Sequence, residues 1–189
     1  AARSGDAALH PYLACLASGL GRLPTYRGAV LHGVDTPART DLTGTVLTEP
    51  GPVGGLSLSG DDAYGWPPTA TVYVIWSDTA RRVAALADAD TDDGAAAGRG
   101  DVMFGPGSRF AVLDVRPGDA DTPDLVLLRE LPATHGDEAA QGGHLALTRL
   151  NKALERIHAT EAVSPSWPAH CLGPLGTSSA TSATGHATA

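Results

Sequence analysis

The sequence predicts an α+β fold with antiparallel or mixed sheets. Three observations carry this: a leucine pattern of helical period near the start, a succession of short β-branched segments divided by glycine- and proline-rich turns, and a second helical pattern near the end.

Asp6 caps a predicted helix over about Ala7–Leu20, with Leu9, Leu13, Leu16 and Leu20 at three- and four-residue intervals and Pro11 in the tolerant first turn. Gly19 and Gly21 end it, and Pro24 turns the chain away. Gly28–Gly33 reads as a short buried strand and Val34–Thr45 as a loop. Val53–Ser59 alternates at its end, which puts Leu56 and Leu58 on one face and Ser57 and Ser59 on the other. Thr71–Trp76, β-branched and aromatic throughout, is the strongest strand signal. Arg82–Leu86 continues as a short strand or a helical turn, and Ala87–Gly100 is an acidic, Ala/Gly-rich loop. Asp101–Val115 reads as a hairpin: strand, Gly105-Pro106-Gly107 turn, strand. Leu125–Leu131 is a further strand, and over Glu138–Ala159 the residues Leu145, Leu147, Leu150, Leu154 and Ile157 line one side of a helix. These elements make one domain over residues 1–160; residues 161–189, rich in Ser, Thr, Ala and Pro, read as a flexible tail.

The 189 residues suffice for one domain with its own core. A net charge of -8 argues against a polyanion such as nucleic acid as partner, since that affinity comes largely from Lys and Arg. No apolar run is long enough to span a bilayer, and no signal peptide is visible, so a cytoplasmic or a secreted location both stay open. Cys15 and Cys171 lack ligand spacing and read as free thiols, with a disulfide between them as the alternative. The seven histidines show no HExxH or paired spacing, so no metal site is expected.

Leu23-Pro24, Tyr26, Gly28 and the strand ending in His32-Gly33, then the serine-bearing strand Leu56-Ser57-Leu58-Ser59, then Asp101-Val102 before a glycine-proline turn, together resemble the core of the ADP-ribosyltransferases of the arginine–serine–glutamate class. The resemblance runs from the first helix through Leu131. It implies two facing mixed or antiparallel β-sheets with flanking N- and C-terminal helices, and NAD as the substrate. It places the NAD-contacting arginine of the family at His32, next to Gly33, the bracing serine at Ser57 or Ser59, and the catalytic glutamate at Asp101. Arg27 is a lesser cofactor-binding candidate, because its odd offset from His32 sends it to the opposite face of a continuous strand. Ser77, after the strong strand, is a lesser alternative to Ser57 and Ser59. Arg99 stands where the family carries its upper acid.

Cleavage of the nicotinamide–ribose bond builds positive charge at the ribose, which a carboxylate near the 2′-hydroxyl stabilises. Aspartate keeps that charge on a shorter arm, and a displacement of about 1 Å costs roughly a hundredfold. Histidine at 32 can still bond a ribose hydroxyl or phosphate, as in the related diphtheria-toxin class, which pairs its histidine with tyrosines; Tyr64 and Tyr73 are present. Each residue also has an ordinary role: Asp101 as a strand-opening acid, His32 as a bonded core residue, Ser57 and Ser59 as one face of an edge strand. The expectation is therefore a degenerate ADP-ribosyltransferase-like domain serving as a binding or scaffold module, with a protein partner or neighbouring domains and no cofactor. The catalytic alternative is an NAD-consuming transferase or glycohydrolase using His32, serine and Asp101. A third reading is an unrelated β-rich domain whose loops bind a protein, in which case these residues would not converge.

Overall fold

The computed structural model describes residues 10–58, 66–83, 100–119, 122–132, 142–158 and 167–179. Within them α1 spans His10–Leu20 and α2 Gly143–His158, while nine strands build the sheet: β1 Gly28–Val34, β2 Val46–Glu49, β3 Val53–Ser57, β4 Thr71–Ser77, β5 Arg81–Arg82, β6 Asp101–Phe104, β7 Ser108–Arg116, β8 Asp124–Leu131 and β9 Thr177–Ser179. The α+β class holds. The caps expected at Asp6, the loop at 87–99 and the strand residues beyond Val83 lie outside the described residues.

The strands form one ladder in the order β5-β6-β3-β1-β4-β8-β7-β2-β9, antiparallel except for β4 and β8. The two facing sheets are thus two halves of one folded sheet. β6 and β7 are joined by only Gly105-Pro106-Gly107, yet β3, β1, β4 and β8 separate them in the ladder. That link can be so short only if the sheet folds back on itself and sets its halves face to face. Asp101–Val115 is accordingly strand, turn and strand, but not a hairpin: β6 pairs with β3 and β5, and β7 with β8 and β2. The two strands meet through side chains instead, Phe104 packing edge-on to Phe110 with ring centroids 5.1 Å apart.

The fold-back defines two cores by strand alternation. Val30, Val34, Val53, Tyr73, Ile75, Val102, Phe104, Phe110, Val126 and Leu128 fill the space between the halves. Leu31, Leu56, Val72, Val74, Leu125 and Leu127 face the other way and are covered by Leu150, Ala153, Leu154 and Ile157 of α2. Leu145, expected on that buried stripe, is 53% exposed. Five residues from Leu150 it lies about 140° around the helix, and Ala146 takes the buried position instead.

The packed body extends past the expected boundary at residue 160. Trp167–Leu175 lies against the sheet, and β9 adds to β2 through Val46–Ser179, Leu47–Ser178 and Thr48–Thr177. β2 itself falls between the predicted loop, which ends at Thr45, and the strand predicted from Val53, and is only four residues long. Among the described residues no helix is long and apolar enough to cross a membrane.

Candidate functional site

His32, Ser57 and Asp101 stand on the neighbouring strands β1, β3 and β6, but they do not share a face. His32 is the cross-strand partner of Tyr73, and Ser57 that of Val30; both partners belong to the core between the halves. Asp101 pairs with Leu56, which belongs to the core under α2. Period-2 alternation therefore sends the histidine and the serine inward and the aspartate outward. Ser59, Tyr64 and Arg99 lie outside the described residues. Arg27 is exposed, and Gly33 is buried.

The segment Trp167–Gly176 closes over this region as a strap. Ala169–Cys171 forms a single 3₁₀ turn, Leu172 makes a parallel bridge to Gly33, and Gly173 N–H donates to the Gly33 carbonyl at 2.9 Å. Cys171 enters the core under α2 and Leu175 the core between the halves, so the strap crosses from one face to the other beside Gly33. Its far end is tied by Glu49, a buried carboxylate that accepts the Gly176 N–H at 2.8 Å.

Two glycines admit the strap. A Cβ on Gly54 would lie 2.6 Å from the His170 carbonyl oxygen, and one on Gly33 would lie 2.8 Å from Leu172 Cδ2. The absent side chains leave room for the His170 backbone at Gly54 and for the Leu172 side chain at Gly33.

His32 is fully buried, with Nδ1 2.7 Å from the Gly54 carbonyl oxygen and Nε2 2.8 Å from that of Gly173. Carbonyls only accept, so each contact calls for a proton on the facing nitrogen, and a neutral ring supplies one. Both ring nitrogens are taken up in joining β3 to the strap.

Asp101 is 5% exposed. Its Oδ2 lies 3.3 Å from His170 Nε2, and its Oδ1, among the described residues, is buried without a hydrogen-bond partner. Leaving a buried acceptor unpaired costs about 1–3 kcal/mol, and more for a charged group. The Cys171 thiol, fully buried close to this carboxylate, is pushed up to about 12, chiefly by burial and further by the Asp101 charge. It is a protonated, shielded thiol near neutral pH. Cys15 is exposed, and both cysteines are free.

Ser77 belongs to a different device. Its hydroxyl donates to Glu130 Oε2 at 3.1 Å and accepts the Ala80 N–H at 3.0 Å. Glu130 also accepts Asp78 N–H at 2.7 Å, Thr79 N–H at 2.8 Å and the Thr79 hydroxyl, which makes it the clamp of the β4–β5 turn. Sequence reading placed no function on Glu130, Glu49, His170 or Cys171. The one available signal was local: Trp167, Cys171 and Leu172 form an apolar group inside an otherwise Ser/Thr-rich stretch.

No family model and no curated protein matches the chain. Among solved structures it is similar to the type III effector XopAI from Xanthomonas axonopodis pv. citri, at 18% identity and a TM-score of 0.47, over 64% of this chain and 49% of that one. It is similar to the ADP-ribosyltransferase HopU1 of Pseudomonas syringae pv. tomato, at 17% identity and a TM-score of 0.49, over 68% of this chain and 56% of that one. The Clostridium limosum C3 exoenzyme is similar at 10% identity and a TM-score of 0.49, over 67% of this chain and 71% of that one. The chain thus spans about half the length of XopAI.

Proposed function

We propose that this is an ADP-ribosyltransferase-like domain that does not consume NAD and serves as a binding or scaffold module for a protein partner or for neighbouring domains. One observation carries the reading: the strap lies across β1 and β3 where the resemblance would put the dinucleotide, and it engages both residues that chemistry would need. His32 spends both ring nitrogens on backbone carbonyls, and Asp101 is buried beside His170. The register supports it further, since an oxocarbenium ion flanked by His32 and Ser57 would not meet a carboxylate on the opposite face of the sheet. The catalytic alternative, a His32–serine–Asp101 set acting on NAD, needs those three groups on one face.

Calorimetric titration with NAD, followed by measurement of nicotinamide release, tests the reading. The expected result is no binding at millimolar NAD and no release. Turnover that disappears in Asp101→Ala would overturn it.

A further inference from the structure

Among the described residues, Asp101 carries a buried oxygen without a hydrogen-bond partner, and the groups around it are of types that ligate metals. His170 Nε2, Cys171 Sγ and a carboxylate oxygen of Asp101 lie within 4.8 Å of one another. Two of them come from adjacent residues of the strap and the third from the start of β6, so no sequence spacing announces the set. We propose that Asp101, His170 and Cys171 bind a zinc ion that clasps the strap to the sheet.

The donor chemistry selects the metal. One imidazole, one thiolate and one carboxylate are the ligand types of tetrahedral Zn²⁺, whereas magnesium and calcium take oxygen donors. The spacing fits as well. With Zn–N and Zn–O bonds of about 2.1 Å, the edge of a tetrahedron between nitrogen and oxygen is about 3.4 Å. The observed separation of His170 Nε2 and Asp101 Oδ2 is 3.3 Å. That is long for a hydrogen bond between charged groups, for which about 2.7–2.9 Å is usual. The thiol must close in by up to about 1 Å, since its edges in such a site run to about 3.6 Å. Such an ion neutralises a carboxylate that is otherwise poorly paired. The His170 side chain is 43% exposed, so solvent reaches the cluster from that side and water completes the coordination.

The site rests on the strap lying closed, as does the proposed function, but it is read without NAD. The test uses the full chain with Cys15→Ser, which removes the exposed thiol, and Co²⁺ as spectroscopic probe alongside Zn²⁺. The expected result is one equivalent of Co²⁺ with a thiolate charge-transfer band and tetrahedral d–d bands, displaced by Zn²⁺. His170→Gln, at the exposed side of the cluster, should weaken binding at least about tenfold with unchanged circular dichroism, given that outer-shell losses alone cost about 10–100-fold. Cys171→Ser should abolish the charge-transfer band. Absence of that band, or binding that survives both substitutions, overturns the proposal. NAD turnover with the cobalt signature intact would overturn the proposed function and leave the clasp standing; a missing signature with no turnover would do the reverse.

Discussion

One methyl group at position 54 tests whether the strap is fastened as described. A Cβ on Gly54 would lie 2.6 Å from both Cδ2 and the carbonyl oxygen of His170, and 3.1 Å from its carbonyl carbon. The ring edge can swing aside, but the backbone carbonyl moves only if Ala169–Cys171 moves with it. Gly54 is not in the left-handed region, so Gly54→Ala adds a steric conflict without backbone strain. Overpacking of this kind costs about 1–3 kcal/mol. Borne by the closed strap, that shifts its opening equilibrium by about 5–150-fold, at 1.4 kcal/mol per factor of ten. Cys171 reports the opening, being fully buried, and the exposed Cys15 is an internal standard in the same molecule. The alkylation rate of Cys171 relative to Cys15 should rise by about 5–150-fold while the far-ultraviolet spectrum stays constant. Gly33→Ala meets a flexible Leu172 methyl at 2.8 Å and should raise the ratio less. A ratio that stays level in folded Gly54→Ala would refute the placement of His170 over Gly54.

Two further predictions concern the body of the fold. Burial pushes Cys171 and Tyr26 each up to about 12, the Asp101 charge adding to the first and Arg82 and Arg156 opposing the second. In the metal-free chain both hold their protons more tightly folded than unfolded, so their contribution is complete below the ordinary values of 9.0 and 10.0 and is lost as pH climbs toward 12. Urea unfolding should show stability falling by up to about 1.4 kcal/mol per pH unit for each group above those values, with Cys171→Ser removing the thiol's share; a level profile from pH 9 to 11 would count against the burial of both. Glu130→Gln sets an amide donor among groups that all donate, and should cost about 2–3 kcal/mol in urea unfolding while leaving Cys171 alkylation unchanged.

The layout of the fold was legible because alternation and β-branching are local. β1, β3, β4 and β8 appear within a residue or two of their predicted ends, since each carries its own apolar run. Partner choice is not local. The Gly105-Pro106-Gly107 turn has hairpin chemistry, yet Asp101–Phe104 gains more by pairing with Val53–Leu56 and burying Phe104 against Phe110 from across the fold. The site failed to be legible for the same reason. Positions 32, 57 and 101 line up with the family pattern one by one, but their facing depends on register between strands, which spacing along the chain does not encode. The strap is hardest to see: Gly173–Ser179 looks like tail by composition and is held by Gly33, Glu49 and the β2 edge, all far away in sequence.

Occlusion and loss of chemistry are separate claims, and affinity can keep them apart. The strap buries Trp167, Cys171 and Leu175. An opening free energy of about 4 kcal/mol would leave about one molecule in a thousand open, and a micromolar site beneath would show as millimolar. Weak NAD binding by the native chain is therefore compatible with either claim. Loosening the strap resolves it, because a competent site in Gly54→Ala should bind NAD tighter by the same factor that Cys171 alkylation rises. A site whose carboxylate faces away from its histidine and serine has nothing to gain from opening. The register of Asp101 opposite Leu56, and of Ser57 opposite Val30, leads to the second outcome: Cys171 becomes reactive and NAD affinity stays where it was.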